Sequence, residues 1–176
     1  MSEFNQSVAI LAFRKGRRSE ALWLFSAAAV LLGVALLCNA QWGSILPIGG
    51  VLLLLSAVFG YTGFAGRVAW AALLLGAIPL ACATCAQHIG HICTPTGCVS
   101  WCLPLCLFGG SLAGILLART ALASPKPATS FIGGAALVFT TGALGCACVG
   151  LGGVVGMGLG LLISSGATLA VLRVRE

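Results

Sequence analysis

Residues 67–85 read RVAWAALLLGAIPLACATC. One arginine is followed by eighteen residues without a charge, about what a helix rising 1.5 Å per residue needs to cross the roughly 30 Å hydrocarbon core of a bilayer. The stretch therefore predicts a transmembrane helix that starts beside Arg67 and ends at a Cys-x-x-Cys pair. The rest of the chain has the same character. Of 176 residues, 60% are apolar and 7% charged, where a soluble domain has roughly 45–50% and 25%. These proportions predict an all-α, polytopic helical membrane protein forming a single transmembrane domain over residues 21–172.

Apolar runs broken by Gly, Pro and charges place six spans. They cover about 21–38, 45–64, 67–85, 99–118, 131–145 and 148–172, the fifth being close to the short limit for a crossing. Residues 1–20 read as a basic N-terminal segment, 173–176 as a tail and 82–98 as a Cys/His loop. Glu3 and the late basic run Arg14, Lys15, Arg17 and Arg18 reverse the order of a signal peptide, so the N-terminal segment is expected to be retained.

Charge orients the spans. With the N-terminus in the cytoplasm, the six crossings put Arg14, Lys15, Arg17, Arg18, Arg67, Arg119, Lys126, Arg173 and Arg175 all on the inner side, as short basic loops require. The three acids, Glu3, Glu20 and Glu176, fall there too. The expected location is a plasma membrane or bacterial-type inner membrane with both termini cytoplasmic. The net charge of +6 then serves anchoring to anionic membrane lipids, and nucleic acid is not an expected partner. No Asp, Glu, Lys or Arg falls inside a span, which argues against an ion-coupled carrier of charged solutes.

The same topology sends all nine cysteines, Cys38, Cys82, Cys85, Cys93, Cys98, Cys102, Cys106, Cys146 and Cys148, to the outer side, where disulfides persist. Six of them, with His88 and His91, lie within 82–106, and three readings stay open. As disulfides, the nine would staple the outer loops, each bridge typically worth about 2–4 kcal/mol. As a redox site, Cys82 and Cys85 have the spacing at which one thiolate attacks a substrate disulfide and the other resolves the mixed intermediate; with Cys82 attacking, Cys85→Ser would trap that intermediate. As a soft-metal site for Zn²⁺ or Cu(I) binding or transport, Cys85, His88 and His91 follow at intervals of three, and Cys98, Cys102 and Cys106 would stripe one helix face. Pro104 would kink the fourth span between two of these ligands.

Small residues suggest how the helices meet. Gly110 and Gly114, and Gly152, Gly156 and Gly160, recur at intervals of four and would let another backbone approach closely. Spans 1, 3 and 5 end alike in AAAVLLGVALLC, AALLLGAIPLAC and AALVFTTGALGC, and spans 2, 4 and 6 carry Gly pairs, a pattern open to a threefold hairpin repeat or to biased composition alone. The leading expectation is a non-catalytic accessory or scaffold subunit, packed through its Gly faces against other membrane subunits or itself, which requires no cofactor. A membrane thiol–disulfide oxidoreductase and soft-metal handling are its alternatives.

Overall fold

The computed structural model describes residues 2–38, 42–62, 66–89, 91–94, 97–100, 102–146 and 151–174. They form six helices, α1 (Ser2–Cys38), α2 (Trp42–Thr62), α3 (Gly66–Ile89), α4 (Cys102–Leu122), α5 (Pro127–Cys146) and α6 (Leu151–Val174), with one hairpin of strands β1 (His91–Thr94) and β2 (Gly97–Ser100) between α3 and α4. Five helices are long and apolar enough to cross a membrane; in α6 the described apolar stretch, Gly152–Thr168, is shorter. The chain thus has the apolar helices of a membrane protein, all-helical apart from the hairpin.

Several boundaries differ from the sequence reading for local reasons. The basic run does not end a helix: α1 continues through it from Ser2, so its apolar part, Arg18–Cys38, is the later half of a longer rod. α5 begins four residues before its expected start. Pro127 opens it, where a missing N–H costs nothing, and the Lys126 N–H donates to Ser124 Oγ at 3.4 Å while the Ser130 N–H donates to the Lys126 carbonyl at 3.0 Å. The result is a 20-residue helix rather than a marginal one. Pro104 falls in the first turn of α4, which starts at Cys102, so it frees no interior carbonyl and does not kink the helix as expected. The interior prolines are Pro47 in α2 and Pro79 in α3.

The helices associate through small residues. α1 and α2 form an antiparallel pair in which Gly60 lies against Ala21 and Gly49 against Leu32. The two most extensive interfaces, α4 with α6 and α3 with α5, join helices that are not consecutive and run parallel. On α3, Gly76 meets Thr141, Pro79 meets Gly142, and Leu80 meets Gly145, in the same order along both helices. On α4, Leu103 stands by Gly156, Gly110 abuts the Met157 carbonyl, and Gly114 abuts Leu161 and Ser164. The hairpin α3–α4 is therefore laid alongside α5–α6, and α5 becomes the central helix, every residue from Thr141 to Cys146 being buried. α1–α2 sits at the edge and leaves wide apolar faces open, including Leu22, Trp23, Val30 and Leu37 on α1 and Leu54 on α2.

This arrangement uses the Gly stripes inside the chain. A Cβ at Gly160 would stand 2.6 Å from the Leu107 carbonyl oxygen, a contact as close as those of Gly110 and Gly114. Gly156 has ordinary contact at 3.8 Å with Leu103, and nothing approaches Gly152. Gly110, Gly114 and Gly160 thus join α4 to α6 within the chain.

Candidate thiol site

The end of the bundle where α3 and α5 finish and α4 begins collects cysteines. Cys82 and Cys85 lie in the last two turns of α3, which runs on to Ile89 instead of stopping at Cys85. Their i, i+3 spacing puts them on one face with about 5–6 Å between Cβ atoms. Cys85 is exposed and Cys82 partly buried. The Cys82 sulfur reaches the surface of α4, 3.4 Å from where a Gly109 Cβ would stand.

Cys106 is one helical turn before Gly109 on α4, at 0% exposure. It meets Cys146, the last residue of α5, also at 0% exposure, with the two sulfurs 3.0 Å apart. Glycine makes this convergence possible. A Cβ on Gly109 would stand 3.0 Å from Pro79 Cα, and Gly142 and Gly145 take Pro79 and Leu80 on the other side, so α3 settles against α4 and α5 at the level of its thiols. Ala83 and Met157 close the surrounding apolar pocket with Cys106 and Cys146. The structure thus brings together four cysteines from three helices, graded from exposed Cys85 through Cys82 to buried Cys106 and Cys146. Sequence spacing exposed the Cys82–Cys85 pair; only the packing of α5 on α4 could bring Cys146 to Cys106.

The other predicted site residues are placed as follows. Cys38 ends α1, exposed and outside the cluster. Cys98 lies in β2, so Cys98, Cys102 and Cys106 do not form a helical stripe; Cys102 and Cys106 alone share α4. Likewise His88 is on α3 but His91 opens β1, which breaks the Cys85, His88, His91 series. Among the described residues no group of three His, Cys, Asp or Glu side chains could hold a metal ion. The hairpin register sets Cys93 directly opposite Cys98. Cys148 lies outside the described residues. Five cysteines, Cys38, Cys82, Cys85, Cys106 and Cys146, are present as thiols, with no disulfide among them.

No known family, no curated protein and no solved structure matches the chain.

Proposed function

We propose that the protein is a membrane thiol–disulfide oxidoreductase acting at the outer face, and that its working groups are Cys82, Cys85, Cys106 and Cys146. The supporting observation is the buried Cys106–Cys146 contact of 3.0 Å beneath a half-exposed Cys-x-x-Cys. A Cys82–Cys85 bridge would have to shorten a helical Cβ spacing of about 5–6 Å to about 3.5–4.5 Å. Strained, exposed disulfides are the exchanging ones, and relaxed, buried ones the stable ones. The oxidised state therefore runs downhill from Cys82–Cys85 to Cys106–Cys146.

Exposure reverses the order expected from spacing. Cys85, not Cys82, is the attacking residue, because an incoming disulfide can reach it. Its thiolate bonds to one substrate sulfur and expels the other as a thiolate, which takes a proton. Cys82 attacks the Cys85 sulfur and releases the second substrate thiol. Cys106 then attacks Cys82, freeing Cys85, and Cys146 attacks Cys106, freeing Cys82. Two electrons and two protons have passed to the substrate, and the new disulfide lies between α4 and α5. Further turnover draws on a dithiol reductant.

The test is a single turnover. Reduced protein in mild detergent, treated with glutathione disulfide and quenched by alkylation, should show a Cys106–Cys146 bridge, with Cys82→Ser accumulating glutathione on Cys85. Cys38, also exposed but apart from the other thiols, is the internal control. If Cys85 is modified no faster than Cys38, and no bridge reaches Cys106 and Cys146, the proposal is wrong.

A second reading, the non-catalytic accessory subunit, is favoured by the open apolar faces of α1 and α2. Since the tight Gly seams are filled internally, partner helices would dock on that hairpin. Sizing in mild detergent separates this reading from the first, because an accessory subunit is recovered with other chains and shows no turnover.

A further inference from the structure

A groove of about 610 Å³ runs along the seam of α1 and α2 at the end opposite the thiols. Its walls come from one face of each helix: Leu22 and Phe25 on α1, Val58 and Tyr61 on α2. Ala21 and Ala57 form its floor, and Gly60 against Ala21 holds the two helices close beneath it. The lining is almost wholly apolar, with Arg18 at one end. From Arg18 to Phe25 the groove extends seven residues, about 10 Å along the helix.

We infer that this groove binds a phospholipid with an anionic headgroup, its phosphate on Arg18 and the first part of one acyl chain along the seam. Charge complementarity selects this occupant. Arg18 is exposed and stands where the apolar part of α1 begins, the level at which a spanning helix meets headgroups. Its planar guanidinium suits a phosphate bidentately, and Arg14 stands one turn earlier on the same helix, with Lys15 and Arg17 between. The Thr62 hydroxyl is already turned onto the Val58 carbonyl at 2.7 Å. Arg18 and the phenol of Tyr61, an aromatic residue at the depth where tyrosines anchor helices, are therefore the polar groups at the mouth. Open apolar walls below a cation match an acyl chain below a phosphate. The site is remote from the thiols and independent of their chemistry.

The experiment is lipid titration of the full chain in mild detergent, read by native mass spectrometry. Phosphatidylglycerol should bind as one tight copy and phosphatidylcholine more weakly. Arg18→Gln should reduce the preference about fivefold, the equivalent of about 1 kcal/mol for one cation near the surface. Ala57→Phe should fill the floor and weaken both lipids, and Leu22→Trp, at an exposed wall position, serves the same purpose without touching the helix contact. A photoreactive acyl chain should mark residues 18–25 and 57–62. Equal, multiple copies of both lipids that ignore Arg18→Gln and Leu22→Trp would mean unspecific annular lipid only and would overturn the inference.

Discussion

Gly156 and Gly160 are one turn apart on α6 and look equivalent in the sequence, yet they meet different surroundings. At Gly160 an added Cβ lands 2.6 Å from the Leu107 carbonyl oxygen and 3.1 Å from the Ser111 backbone nitrogen. Backbone cannot swing aside as a side chain can, so α4 and α6 must separate. Gly160→Ala should cost about 1–3 kcal/mol, the usual penalty of overpacking, whereas Gly156→Ala, in ordinary contact with Leu103 at 3.8 Å, should change stability little. Thermal unfolding of both variants in the same detergent checks the ranking, and equal melting temperatures would contradict the packing of α4 on α6. The four-residue spacing was legible without a structure. Which of the glycines touch backbone was not, because it depends on the height of α6 relative to α4.

The hairpin shows the same limit at the level of an element. Gly90, Pro95 and Gly97 mark turns in the sequence, but four-residue strands are too short for alternation to announce them, and residues 91–98 read as part of the Cys/His loop with 99–100 opening the fourth span. Their antiparallel register puts Cys93 opposite Cys98, and directly opposed residues have Cα atoms about 4.5–5.5 Å apart, inside the roughly 4.4–6.8 Å range of a disulfide. A Cys93–Cys98 bridge is therefore expected, closing a short loop and distinct from Cys82 and Cys85 on α3. Peptide mapping without reductant should recover it intact, also in a Cys85→Ser variant. Free thiols at both positions in protein isolated under oxidising conditions would refute the register-based pairing. Helices behave differently: their apolar runs located α2 and α4 to within three or four residues and the spanning part of α1, Arg18–Cys38, to within three, while the helix itself runs back through the basic residues because Arg and Lys are good helix formers.

For the whole molecule, charge remains the guide to orientation. Arg18, Arg119 and Lys126 are all exposed, and the alternating helix directions set them at the end away from the thiols. A reporter after Glu176 and one within 124–128 are expected on the cytoplasmic side, and one at Gly90 on the other. If the insertions at 90 and within 124–128 report the same side, α4 does not cross and the thiols do not face the outer compartment. The three similar spans do not end in similar surroundings. Cys146, at the end of α5, meets Cys106, and Cys82, at the matching place in α3, lies against α4 one turn along at Gly109, but Cys38 of α1 remains apart because α1–α2 packs mainly on itself. Composition and spacing define the spans and the thiol-bearing end; pairing across forty residues is a property of the assembled bundle.

The parallel seams also impose an order in time. A chain is made from its N-terminus, so α3 and α4 are complete while their principal neighbours, α5 and α6, are still unmade. In that interval Gly110 and Gly114 have only lipid beside them, and Cys106 has not yet met Cys146. Arrival of α5 is therefore what buries Cys106 beside its final partner.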